Sequence, residues 1–567
     1  MRDLFIDDWN KCQADTQYQG EGSSHELASL MVTEAVQHSK YTSNLPTFLL
    51  FLDAKSAFDT VVTPYLVRKL FMSGMEGKSL LYTDIRLSNR ITYCQFQTTT
   101  AGPILDEQGV EQGGISSSDL YKIYNNELLT TAQHSKLGVD MGDSLVVSAV
   151  GQADDSVLIS NDISKLQHIL QLVLEYCRKF NVQLSSSKTK LIQIHPAKAC
   201  KFVPYNPISI DNKSIEFVSE AEHVGVLRSE SGNLPNILQR LSGFKKALGP
   251  LVACGLARGR RSNPAASMRI LSIYATPVLL SGLPSLVLSP AEIGNIDQQY
   301  KRTLQNILKL AVSSPPALVH FVAGSLPLTA ILHLRQLSLF GMICRLPANP
   351  LHSHAKHVLL TLSRSPNSWF QKVRDLLLQY QLPHPLVLLS DPPPKAMFKN
   401  LVKSKVTDYW ETHLRLSVSP LLERSLCYFN PKYMSLNRPH KLLSAAGSNP
   451  YEVSKALIQL KFLSSQYPSN ERKRHCTPTN RAGLCTNLSC STDGIILDSQ
   501  AYPKVREKLL THYQELGNIF SRAFVNKTFM KFNLWGNSLK SEFFYMDSLG
   551  VTFIDASPDA EIYRYVN

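Results

Sequence analysis

Thr47 to Leu52 reads as one continuous apolar run, the pattern of a strand covered on both faces. A helix-like stretch, His25 to Gln37, precedes it behind a Gly/Ser turn at Gly20 to Ser24. Residues 60–105 read as helix and then hairpin, closing at a Gly102-Pro103 turn, and Leu120 to Leu129 reads as helix. Leu145 to Val150 and Ser156 to Ile159 are two short apolar strands around Gly151-Gln152-Ala153-Asp154-Asp155, a hairpin with acids at its tip. Leu166, Ile169, Leu170, Val173, Cys177 and Phe180 then recur at helical spacing, with Ser164 as expected N-cap, before a strand at Leu191 to Ile194. Strand, helix, hairpin, helix, strand describes an α+β fold, an antiparallel sheet with helices on one face.

Beyond this sheet the pattern changes. Ile237, Leu241, Phe244, Leu248 and Leu251 form an apolar helical stripe, with Pro235 near the helix start and Arg240, Lys245 and Lys246 read as lying largely away from it. Ser289 to Lys461 is Leu-rich and helical in pattern, broken by a linker at Pro392 to Pro394. Residues 466–495 are polar, ahead of a final segment expected to be helix-rich. The division expected is 1–228, 229–290, 291–465 and 466–567, with no internal repeat.

Candidate chemistry lies where apolar strands meet acids. LFLDAKSAFD (Leu50 to Asp59) ends its strand at Asp53, AVGQADDSVLIS (Ala149 to Ser160) carries Asp154 and Asp155, and GVEQGG (Gly109 to Gly114) stands between them. Joining a nucleotide to a 3′-hydroxyl calls for two divalent ions roughly 3.5–4 Å apart. Mg²⁺ is commonly held by one or two carboxylates plus waters and phosphate oxygens. Asp53 and Asp154 meet that need if neighbouring strands bring their ends together, with Asp155 as third ligand or nearby charge. The plainer alternative makes Asp-Asp a turn dipeptide and Asp53 a strand-end cap.

These segments together resemble the reverse transcriptases of LINE-type (non-LTR) retrotransposons. Asp53 to Asp59 is similar to motif A, Gly109 to Tyr121 to motif B, Gln152 to Asp155 to motif C and Leu184 to Lys190 to motif D, with His223-Val224-Gly225 at the place of motif E. The resemblance implies a right-hand polymerase palm with partial fingers, a helical thumb and a mostly α-helical C-terminal region. It also implies RNA-directed DNA synthesis with two Mg²⁺ ions held by Asp53, Asp154 and Asp155, acting on dNTPs, an RNA template and a DNA primer. By the same resemblance Phe58 gates against a ribose 2′-hydroxyl, with core packing as its plain reading. Gln112, Gly113 and Gly114 line the nucleotide and template side, and Lys188 contacts the triphosphate, its alternative being a solvated surface lysine.

Three positions depart from the family pattern: Gln152 replaces an aromatic, Ser117-Ser118 a Ser-Pro, and Ser185 an Asn. Motif-2-like residues, Gln17 to Ser24, fall close to the start, so a relative truncated at its N-terminus is expected. A nucleic-acid-binding descendant without catalysis is the alternative.

Charge adds a partner class. The chain carries a net charge of +14, and between Arg228 and Leu310 eleven Lys or Arg face three acids. Arg240, Lys245, Lys246, Arg258, Arg260 and Arg261 are the candidate contacts to a template–primer backbone, and a solvated cationic face is the alternative. Scattered cysteines point to a reducing compartment, cytoplasm or nucleus. The absence of a long apolar run argues against a membrane partner. Cys485 and Cys490 resemble part of a cysteine knuckle, but Gly494 and Ser499 occupy the remaining ligand places, so zinc is not expected.

Overall fold

The computed structural model describes residues 24–198, 207–253, 263–346, 367–424 and 434–463, and strand segments 542–546, 551–555 and 562–564, apart from residues 89, 112, 115, 143, 144, 153, 212 and 448. The chain divides into two units. One comprises Met1–Ser242, Leu279–Gly294 and Ile331–Val406; the other comprises Gly243–Val278, Asn295–Ala330 and Thr407–Asn567.

The first unit begins with α1 (His25–His38), β1 (Thr47–Leu52), α2 (Thr63–Met72), α3 (Gly77–Ser88), β2 (Arg90–Phe96), β3 (Thr99–Asp106) and α4 (Ser117–His134). There follow β4 (Val139–Gly142), β5 (Leu145–Val147), β6 (Ala149–Gln152), β7 (Asp155–Ser160), α5 (Ile163–Lys179) and β8 (Lys190–Ile194). Short strands β9 (Ser209–Ile210), β10 (Lys213–Ser214) and β11 (Glu216–Phe217) lead to β12 (Glu220–His223) and β13 (Val226–Ser229), and then to α6 (Leu234–Ala253).

The main sheet has the order β11-β8-β1-β7-β6. β1 pairs antiparallel with β7 on one edge and with β8 on the other. Its alternate residues Phe48, Leu50 and Leu52 pack against Leu128 and Leu129 of α4 and Leu166, Ile169, Leu170 and Val173 of α5. On the opposite face Phe51 meets the His223 ring, with centroids 5.6 Å apart. Both faces are therefore covered, which is why the strand needs no polar alternation. Each fully buried Leu here stabilises the sheet by about 1.5–3 kcal/mol. Gly151 seats α4 on β6: a Cβ there would lie 2.5 Å from Leu129 Cδ1.

Two local expectations are corrected. Asp162, not Ser164, caps α5, its Oδ1 accepting from the N–H groups of Ser164 and Lys165 at 2.7 and 3.2 Å. A carboxylate at that position also suits the positive end of the helix dipole. Gly102-Pro103 is not the hairpin turn; it lies inside β3, and the chain reverses between Phe96 and Thr99, which pair across the ladder. A proline fits there because β2 and β3 form a two-stranded ribbon, every strand of which is an edge.

Helix α1 contributes a buried acid. Glu34 is 1 % exposed, and its Oε1 accepts the Trp369 N–H at 2.6 Å. Burial pushes its carboxyl up to about 8, partly offset by that hydrogen bond. Between pH 4.5 and 8 the folded protein thus keeps a proton that the unfolded chain has released. The contribution of Glu34 to stability falls as pH rises through this window and levels off above it. Glu34→Gln retains an acceptor for Trp369 and has no proton to lose. Denaturant unfolding at pH 5 and pH 8 is expected to show the wild type losing a few kcal/mol relative to the variant, on top of the opposite change that buried neutral histidines such as His333 and His440, held down at about 4, impose on both proteins.

The second unit is mainly helical in its described residues. Tyr300 is buried and shares a 3.1 Å hydrogen bond with Ser325, and the His440 N–H donates to Val322 O at 3.1 Å. Glu542–Met546, Val551–Asp555 and Ile562–Arg564 form a three-stranded antiparallel sheet, where the sequence pattern suggested helix. Among the described residues no single helix is long and apolar enough to cross a membrane.

Candidate active site

The β-ladders decide where the acids go. β1 and β7 run in register to Leu52↔Ser156, so the next step places Asp53 opposite Asp155. β6 and β7 close at Gln152↔Asp155, with Asp154 exposed at the tip beside them. Two segments a hundred residues apart thereby deliver three carboxylates to one end of the sheet.

A third segment joins from the other edge. Ala54 bridges Leu184, the Ser185 N–H donates to Asp53 O at 2.8 Å, and the Lys55 N–H donates to Gln183 O at 2.8 Å. The turn that follows is held by Thr189 N–H to Ser185 O at 2.8 Å. It brings the Lys188 ammonium to 3.6 Å from Asp53 Oδ2. With 71 % of its side chain exposed, Lys188 is weakly tethered and free to meet an incoming anion.

The Gly-rich loop is fastened to the same strand end. The Gly109 N–H donates to Val61 O at 2.7 Å and the Val110 N–H to Phe58 O at 2.8 Å. Gly109 has φ +93°, and a Cβ there would press to 3.0 Å from the Asp59 backbone, so no other residue fits this approach. Gly113 also has positive φ with open space around it, Gly114 lies tight against Ser117 Oγ, and Gln112 lies outside the described residues. The loop ends in α4, which presents Tyr121 to Phe58 with ring centroids 4.9 Å apart. Phe58 is half-buried, against this stack rather than sunk in the core.

Tyr121 carried no assigned role in the sequence reading. Its hydroxyl is pushed up by burial and then by the Asp154 charge. Three residues on, Tyr124 belongs to a buried polar node. There the Lys69 ammonium of α2 donates to Tyr124 O and to the Tyr176 hydroxyl, both at 2.8 Å, pairs with Glu127 at 3.2 Å and lies 3.8 Å from the Phe180 ring centre. The node ties α2, α4 and α5 together and so fixes the angle at which α4 offers Tyr121. Sequence patterning misses it because the partners are remote in the chain.

The electrostatics of the acids favour a cation. The Asp155 carboxyl is pushed up by partial desolvation, then by the charges of Asp154, Asp53 and Glu222. Among the described residues Asp53 Oδ2, which is buried, accepts no hydrogen bond and has one ion-pair contact, the long one to Lys188. Among the described residues no group of three or more His, Cys, Asp or Glu side chains is placed to hold a metal ion. An open platform of one or two carboxylates is nevertheless what Mg²⁺ with its waters and a triphosphate requires, and these residues fit it.

At motif E, His223 and Val226 pair across a two-residue turn in which Val224 and Gly225 have φ 44° and 74°. Positive φ at both positions defines a type I′ turn, strained at a β-branched residue. Arg240 secures the turn by donating to Gly225 O, and it approaches Glu222 at 4.0 Å. This differs from the expected surface role. Arg240 precedes Phe244 by four residues, so it shares the inward face of α6, and only 14 % of its side chain is exposed. Lys245 and Lys246 are exposed on α6 as expected. Arg258, Arg260 and Arg261, and the knuckle residues Cys485 and Cys490, lie outside the described residues.

Comparison of the sequence with known protein families agrees with this layout. Residues 17–218 match the family model described as reverse transcriptase (RNA-dependent DNA polymerase). Two retrovirus-related Pol polyproteins from type-1 retrotransposable element R2 of Popillia japonica are each 23% identical to this chain over 277 residues, or 47% of its length. The alignments cover 44% and 37% of those relatives, so the chain spans less than half of their length. Among solved structures, apo telomerase from Candida tropicalis aligns with 71% of this chain and 60% of its own, at TM-score 0.30 and 10% identity. Telomerase from Candida albicans with a telomeric RNA fragment aligns with 66% and 56%, at TM-score 0.26 and 11% identity.

Proposed function

We propose that this chain, whose residues 17–218 are a reverse-transcriptase domain related to those of non-LTR retrotransposons, extends a DNA primer on an RNA template with dNTPs. The observation that carries the reading is the register placing Asp53 opposite Asp155, with Asp154 at the adjoining tip. Asp53 and Asp154 would hold the two divalent ions, and Asp155 would add negative charge beside them. When bound, the ions lower the pKa of the primer hydroxyl and neutralise charge on the triphosphate.

The chain's own groups account for the rest. The primer oxygen bonds to the α-phosphorus as the bond to pyrophosphate breaks, and Lys188, reaching from its exposed turn, gives a proton to the departing pyrophosphate. Phe58, held by Tyr121, fills the space a 2′-hydroxyl would need. Lys245 and Lys246 would meet backbone phosphates, which supply affinity without sequence preference. Retention of all three acids together with Lys188 favours this reading over a non-catalytic scaffold.

Primer extension on a defined RNA template tests it. The full chain with Mg²⁺ is expected to add dNTPs as the template directs. Absence of incorporation, with salt-sensitive RNA binding intact, would sink the polymerase reading and leave the scaffold.

A further inference from the structure

Arg228 of β13 is 7 % exposed, and among the described residues it has no counter-charge. Its Nη1 donates to Thr33 Oγ1 at 2.9 Å, and its Nη2 donates to Ser29 O and Oγ at 2.7 and 2.8 Å. All three acceptors are neutral, and Nε is buried with no partner. Burial alone lowers the Arg228 guanidinium from its usual range, and burial together with the Arg228 charge holds His223 down at about 3. Two other buried cations of the same unit are treated differently: Lys69 pairs with Glu127 and Lys122 with Asp119. A guanidinium stays charged under all ordinary conditions, so burying it unpaired is costly.

Arg228 lines a cavity of about 430 Å³, a volume suited to a small metabolite. Lys40 and Lys372 also line it, as do the apolar side chains of Val36, Ile194 and Leu288. Two acids lie on the wall. The Glu292 carboxylate is occupied in accepting the Ser289 N–H at 2.7 Å, and Glu230 is exposed. The balance of the lining is cationic, and the buried charge is the one without an answer.

We infer that this cavity binds a small phosphate-bearing anion, which supplies the missing counter-charge to Arg228 and is flanked by Lys40 and Lys372. The site is separate in residues from the carboxylate cluster and independent of whether the chain copies RNA.

Thermal unfolding and titration calorimetry of the full chain test this, using inorganic phosphate and ribose 5-phosphate against sodium chloride of equal ionic strength. At saturation at least one of the two is expected to raise the melting temperature by about 3 °C. Tighter binding of the sugar phosphate would identify an ester, and equal binding the free ion. Lys40→Ala with Lys372→Ala is expected to remove most of the shift, whereas Lys188→Ala keeps it. Arg228→Met in chloride is expected to melt no lower than the wild type, because an unpaired buried charge has gone, and to lose the phosphate response. No shift with either probe overturns the inference. So does a shift lost in Lys188→Ala but kept in the double variant, which would place the anion at the nucleotide site.

Discussion

Asp154→Asn is expected to lower RNA-templated primer extension by about 10³-fold or more while leaving the protein folded. The hairpin tip depends on β6–β7 pairing, which an amide at position 154 does not disturb. What changes is charge. Asp155 is held up partly by Asp154, so removing that carboxylate relieves repulsion in the metal-free protein. The melting temperature without metal should therefore stay level or rise as activity disappears. A loss of activity that merely tracked unfolding would contradict this account, and circular dichroism melts run beside the extension assay separate the two.

Phe58→Ala is expected to weaken discrimination against ribonucleotides by about 100-fold in kcat/KM ratio, with a smaller effect on dNTP use. Phe58 is half-buried and leans on Tyr121. Truncating it opens room where a 2′-hydroxyl would sit and loses a ring contact of about 1 kcal/mol. Phe58→Tyr keeps the ring and should retain selectivity. If both variants discriminate like the wild type, Phe58 is a packing residue and nothing more.

Some of these features are readable from sequence and others are not. Continuous burial of β1 announces itself in TFLLFL, and an acid pair between two apolar runs announces a hairpin tip, because both depend on neighbours in the chain. Lys188 beside Asp53 depends on a bridge between Ala54 and Leu184, which chain-local pattern does not reveal. Arg240 was misplaced for a related reason. A charged side chain flanking an apolar helical stripe can turn inward when a backbone carbonyl such as Gly225 O awaits it. Gly102-Pro103 carried the usual mark of a turn, yet a two-stranded ribbon tolerates proline along its edge. Buried charges such as Glu34, Lys69 and Arg228 gave no local signal, since their partners or lack of partners are set by tertiary packing.

The claim on which the functional reading turns is that Asp53 and Asp154 jointly hold divalent metal. Electron paramagnetic resonance of Mn²⁺ added to the full chain with primer–template and a non-reactive dNTP analogue measures it. The account predicts a coupled pair of ions roughly 3.5–4 Å apart in the wild type, lost in Asp53→Asn and in Asp154→Asn. Equal Mn²⁺ uptake and an unchanged signal in all three proteins would contradict it.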